Sequence, residues 1–172
     1  MSTRRLIVMR HAKAEPDATT DHERLLTGRG TRDAERAGLY LAGIDMVPDH
    51  AVVSTAARAV GTWNAVAQGA GSTAGLTLDE SVYLGAPQDV LKSLRSAPMD
   101  ARVLIAIGHN PAVAHVAALL AGGEGDPAAL REMALGYPTS AMAVFEVGDR
   151  WADLGAGTGR VTHFHVRRRV GT

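Results

Sequence analysis

The chain is 172 residues long, contains no cysteine, and carries 18 basic against 18 acidic side chains. That length suits one domain, residues 1–172, able to bury a core without disulfide or metal staples. The absence of cysteine excludes a thiolate nucleophile, a disulfide framework and a cysteine-ligated metal. Zero net charge argues against capture of nucleic acid or anionic lipid by bulk electrostatics. Among the basic residues only Lys13 and Lys92 are lysine, and the rest are arginine, whose planar fork grips phosphate or carboxylate through two bonds.

The longest apolar stretches, Val103–Ile107 and Ala112–Ala121, fall well short of the roughly 20 residues a membrane span needs. Arg10 and His11 end the early run Leu6–Met9 too soon for a signal-peptide core. A soluble, cytoplasmic protein is expected.

In chain order, Leu6–Met9 is a continuously apolar run, as in a strand buried on both faces. A polar segment follows, from Ala14 to Arg24. Thr27 then precedes a helical pattern with Ala34, Ala37, Gly38 and Leu41 on one face. Ala51–Val53 reads as a second strand ending at Ser54, with Thr55 as cap of a helix whose Ala56, Val60, Trp63 and Ala67 share a face until Gly69 and Gly71. Leu76–Leu78 is a candidate third strand, and Pro87 opens a helix carrying Val90, Leu91 and Leu94.

Val103–Ile107 is the clearest buried strand, running into Gly108-His109-Asn110-Pro111, with Asn110 as N-cap of a helix burying Val113, Val116, Ala117 and Leu120. Asp126-Pro127 starts a short helix, and Ala141–Val147 and Val161–Val166 are late strands joined across a glycine-rich turn. Strands alternating with helices indicate a three-layer α/β/α domain with a mostly parallel central sheet.

In such sheets, ligands bind beyond the carboxyl ends of the strands. The first strand delivers Arg10 and His11 to that edge; the second delivers Ser54 and Thr55, with Arg58 one turn into its helix; the Val103–Ile107 strand delivers His109 and Asn110. Two histidines and two arginines so placed can converge on a small anion. A free imidazole nitrogen can attack phosphorus. Guanidiniums and a second histidine neutralise the equatorial oxygens, and helix starts at Thr55 and Asn110 add N–H groups, so phosphoryl transfer needs no metal or other cofactor here.

Leu6-Ile7-Val8-Met9-Arg10-His11-Ala12 resembles the Arg-His signature of the histidine phosphatase superfamily, which includes cofactor-dependent phosphoglycerate mutases. Ser54-Thr55-Ala56-Ala57-Arg58-Ala59 and Gly108-His109-Asn110-Pro111 resemble its second and third motifs. Arg24-Leu25-Leu26-Thr27 with Gly30, and Tyr137-Pro138-Thr139-Ser140-Ala141, narrow the likeness to the small SixA-type phosphohistidine phosphatases. The resemblance implies a phosphoglycerate mutase-like fold, with His11 as nucleophile and with Arg10, Arg58 and His109 on the phosphate. Arg24 is implied as a further phosphate-facing residue. Thr55 stands where the family commonly has proline.

Related phosphatases place a glutamate after the third strand. Glu80 is nearest that description, and a surface carboxylate beside Asp79 is the other reading. His22 is a second candidate proton donor. The implied partner is a phosphorylated protein carrying phosphohistidine, or a small phosphomonoester, acted on by a monomer or weak homodimer. A non-catalytic phosphate-binding module is the remaining alternative. His163 and His165 share a strand face, but two ligands without a third make a poor metal site, and exposed strand histidines are expected. Arg167-Arg168-Arg169 is expected to be a solvated tail.

Overall fold

The first strand, β1 (Arg4–Arg10), alternates its side chains between two cores: Leu6 and Val8 join one apolar layer, Ile7 and Met9 the other. The same alternation runs along β4 (Val103–Gly108), with Leu104 and Ala106 on the first side and Ile105 and Ile107 on the second. Strands apolar at successive positions must be covered on both faces. α1 (Gly28–Gly43) and α2 (Ala57–Ala70) cover one face with Ala34, Leu41, Trp63 and Val66. α4 (Pro87–Arg95), α5 (Ala112–Ala121) and α6 (Pro127–Leu135) cover the other with Leu91, Leu94, Val116, Leu120 and Ala129.

This computed structural model describes residues 2–167. The remaining strands are β2 (His50–Ser54), β3 (Gly75–Asp79), β5 (Met142–Val147) and β6 (Arg160–His165), and the six-stranded sheet has the order β3-β2-β4-β1-β5-β6. Its first four members run parallel, β5 pairs antiparallel with β1, and β6 pairs antiparallel with β5. The three-layer, mostly parallel architecture is the one expected. No helix among the described residues is long and apolar enough to cross a membrane.

Register brings the functional strand ends level. Arg10 pairs with Gly108 across β1 and β4, and Val53 pairs with Ile107 across β2 and β4. The loop after β1 is pressed against the start of α1: a Cβ at Gly30 would lie 2.1 Å from the Lys13 carbonyl oxygen, so only glycine allows this approach. Thr27 caps α1 as expected, accepting the Gly30 N–H at 2.9 Å.

Four local readings differ. α2 has Ala56 rather than Thr55 at its N-cap and no side-chain cap, and Ser54 Oγ accepts the Ala56 N–H at 3.2 Å. Of the expected face, Ala56 and Trp63 are buried but Val60 and Ala67 are only half-buried, and the buried face of the helix runs through Arg58, Ala59, Thr62, Trp63 and Val66. The polar Arg58 and Thr62 interrupt the apolar period that the sequence displays. Asn110 does not cap α5, which starts at Ala112; its side chain donates to the Tyr137 carbonyl at 2.8 Å. A five-residue helix, α3 (Glu80–Leu84), was not expected; it is too short to show a period, and Asp79 caps it by accepting the Ser81 N–H.

Candidate active site

The loop that carries His11 is fastened on every side. The His11 N–H donates to the Gly108 carbonyl at 3.0 Å, and the His11 carbonyl accepts the Ser140 N–H at 3.1 Å. The next residue, Ala12, donates its N–H to Thr62 Oγ1 at 2.9 Å, and that hydroxyl donates to the Arg58 carbonyl at 2.7 Å. β1, β4, α2 and the segment before β5 therefore set the position of one imidazole.

His11 is buried, with 8 % of its surface exposed. Its Nδ1 lies 2.7 Å from the Ala12 carbonyl oxygen. A carbonyl can only accept, so Nδ1 carries the hydrogen and neutral His11 keeps its lone pair on Nε2. Burial, and then the positive charge of Arg58, Arg10 and Arg24, pull its pKa from 6.5 down to about 4. The ring is neutral at pH 7.

His109 stands 5.1 Å away between ring centroids. Burial, His11 and Arg58 depress its pKa to about 3. Its Nε2 is 2.7 Å from Ser54 Oγ, and that hydroxyl also accepts the Ala56 N–H. The Ser54 hydroxyl can donate to Nε2 or accept from it, so this bond fits either His109 tautomer. Three nitrogens of this cluster, Arg10 Nε, Arg58 Nε and His109 Nδ1, are buried without a hydrogen-bond partner among the described residues. Such groups are costly unless a ligand or water satisfies them.

The arginines are held from their far ends. Arg10 Nη1 donates to the Tyr137 carbonyl at 3.1 Å. Arg24 Nε donates to the Glu15 carbonyl at 2.7 Å. Arg58, 6 % exposed, donates through Nη1 to the Asp21 carbonyl at 2.8 Å and through Nη2 to Asp21 Oδ2 at 3.0 Å. The same carboxylate accepts Arg24 Nη1 on Oδ1 at 2.9 Å and the Tyr83 hydroxyl on Oδ2 at 2.8 Å. The Tyr83 hydroxyl, then Arg24 and Arg58, hold the Asp21 pKa well below the usual carboxylate range.

The structure thus gathers Arg10, His11, Arg58, His109 and Arg24 beyond the ends of β1, β2 and β4. Thr55 sits at the rim, its hydroxyl 2.9 Å from His22 Nε2. Asn110 serves the Tyr137 loop that also anchors Arg10. Glu80 is exposed at the start of α3, and its side chain makes no hydrogen bond or ion pair with another described residue. Tyr83, three residues on and therefore on the same side of that helix, reaches the cluster instead, 5.4 Å from the His109 ring.

Sequence reasoning did not single out Asp21, Ser54, Thr62 or Tyr83 for these contacts. The nearest signal was an acidic residue three positions before Arg24. His163 and His165 are half-buried against Tyr40, with centroids 6.4 and 4.2 Å from its ring, rather than exposed. Arg167 pairs with Asp33 at 3.0 Å, while Arg168 and Arg169 lie outside the described residues.

No family model matches the chain. It is 36 % identical over 162 residues to the uncharacterized protein Rv1276c of Mycobacterium tuberculosis (strain ATCC 25618 / H37Rv), covering 93 % of this chain and all of that one. A structure from Nakamurella multipartitia, assigned as the phosphohistidine phosphatase SixA, superposes with a TM-score of 0.85 at 29 % identity, covering 99 % of each chain. A second such structure, from Agrobacterium tumefaciens, shares the fold at 24 % identity and a TM-score of 0.79, over 97 % of this chain and all of the other. This chain belongs to the SixA-type branch of the phosphoglycerate mutase-like histidine phosphatase superfamily, and it is a phosphatase.

Proposed function

We propose that this single-domain chain hydrolyses phosphohistidine on a protein through a covalent intermediate on His11. The observation that carries the reading is the His11 ring itself: buried, neutral, and bound through Nδ1 to a carbonyl, so that Nε2 is the nucleophilic atom.

Arg10, Arg58 and Arg24 neutralise the phosphoryl oxygens as charge moves during transfer. The buried Nε–H groups of Arg10 and Arg58 are donors that the anion satisfies. His11 Nε2 forms the P–N bond as the substrate imidazole leaves with the electron pair of the bond that breaks. Substrate protonation at the other ring nitrogen makes that imidazole a neutral leaving group. Water then attacks phosphorus, its proton passes to solvent or a nearby base, and His11 and inorganic phosphate are released. Charge neutralisation by three guanidiniums does the work a metal ion does elsewhere.

Rapid quench with a labelled phosphohistidine peptide, in the presence of chelator, tests the reading. The expected phosphoenzyme is stable in alkali, labile in acid, and lost in His11→Ala. Faster turnover of sugar or nucleotide monoesters, by orders of magnitude, would assign a small-molecule substrate to the same pocket. Full activity in His11→Ala would overturn both versions.

A further inference from the structure

We propose that Asp21 sets the affinity and charge selectivity of the phosphate site by occupying it, holding the donors of Arg24, Arg58 and Tyr83 until a phosphoryl dianion displaces its carboxylate. This rests on the reading of the site as a phosphate pocket. The two carboxylate oxygens take Arg24 Nη1, Arg58 Nη2 and the Tyr83 hydroxyl at 2.9, 3.0 and 2.8 Å. A carboxylate with one oxygen on each of two guanidiniums takes donors that the oxygens of a phosphoryl group can take in its place.

Charge decides which ligand wins. With both histidines neutral, the cluster holds three guanidiniums, Arg10, Arg24 and Arg58, against the single Asp21 carboxylate. A monoanion entering the same place gains no more attraction than Asp21 already has. A phosphoryl dianion gains twice the charge interaction and repels the carboxylate it meets.

The segment that carries Asp21 is built to yield. Its base is pinned: Glu15 N–H donates to the Leu25 carbonyl at 2.8 Å, and Thr27 N–H donates to the Lys13 carbonyl at 2.9 Å. Its tip, from Asp17 to Asp21, is exposed throughout, and the short turn Asp21–Glu23 buries no side chain. Beyond Asp21 itself, the tip is tied to the body by His22, whose Nε2 meets Thr55 Oγ1 at 2.9 Å and whose ring rests edge-on to Tyr83 at 4.9 Å. All these ties are polar or peripheral, so water can replace them at small cost. A permanent brace would need burial that this segment does not have.

The test titrates inorganic phosphate, at about pH 8 where it is mostly dianionic, into wild type, Asp21→Asn, Asp21→Ala and Arg58→Gln by calorimetry, with acetate as a monoanionic competitor. Both Asp21 variants are expected to bind phosphate about tenfold tighter, as removal of a competing closed state dictates. Acetate, silent on wild type, is expected to compete in the variants. Unchanged or weaker phosphate binding in both variants overturns the inference. If wild type still binds phosphate and Arg58→Gln does not, the phosphatase reading survives that failure. If wild type binds no phosphate and forms no phosphoenzyme, both readings fall.

Discussion

Thr62 ties Ala12 to the body of the protein: its hydroxyl accepts the Ala12 N–H at 2.9 Å and donates to the Arg58 carbonyl at 2.7 Å. One fully buried side chain thus couples the loop of His11 to the helix of Arg58. Thr62→Val keeps the shape and leaves the Ala12 N–H unpaired, at a cost of about 1–3 kcal/mol in stability. Displacement of the His11 ring is expected to lower turnover by roughly ten- to a hundredfold. Thr62→Ser restores both. Denaturant unfolding and steady-state turnover check the pair.

Acid should destabilise the fold through its two buried imidazoles. His11 and His109 have native pKa values of about 4 and about 3, against 6.5 when exposed. Between these values the unfolded chain binds protons that the native chain does not. Stability is therefore full above about pH 6.5 and falls as pH drops toward 4 and 3, each ring contributing on the order of 1–3 kcal/mol. Melting temperature measured from pH 7.5 to 4 is expected to fall, and more shallowly in His109→Gln. An unaltered slope in that variant would contradict the assignment.

Arg58 places both terminal nitrogens on Asp21, one on the backbone carbonyl and one on the carboxylate. A lysine carries the charge but not the fork. Arg58→Lys is expected to fold and to lose about two to three orders of magnitude in kcat/KM. Lysine activity within a few-fold of wild type would show that charge alone is enough.

Glu80, the candidate acid read from the sequence, is tested by comparing substrate classes. A P–N bond to a protonated imidazole breaks without an enzymic acid, whereas an alkoxide leaving group needs a proton. Because the Glu80 side chain stands outside the cluster, Glu80→Gln is expected to leave hydrolysis of both phosphohistidine and alkyl phosphomonoesters within a few-fold, and a large loss confined to the monoesters would make it the acid. Equal losses on both substrates would make Glu80 a general participant.

The parallel strands were legible because burial on both faces forces unbroken apolar runs such as Leu6–Met9 and Val103–Ile107. The meeting of Arg10, His11, Arg58 and His109 followed from topology, since parallel strands present their carboxyl ends to one edge. α3 was not legible: five residues carry too little periodicity, and β3 before it is largely exposed. The caps at Thr55 and Asn110 were misplaced for a related reason, because hydroxyls and amides near a helix start find other partners once the chain is folded.

By itself the sequence determined the layer architecture, the strand ends and the residue types that converge there, because burial and backbone period act locally. Only the tertiary structure decided what each group touches. Asp21 meets Arg58 across 37 positions and Tyr83 across 62, and Thr62 meets Ala12 across 50. Hydrogen bonds of a few ångströms between such distant positions depend on the packing of whole elements, which no local pattern records. The tautomer of His11 and the anion already seated between two arginines belong to that second kind of fact.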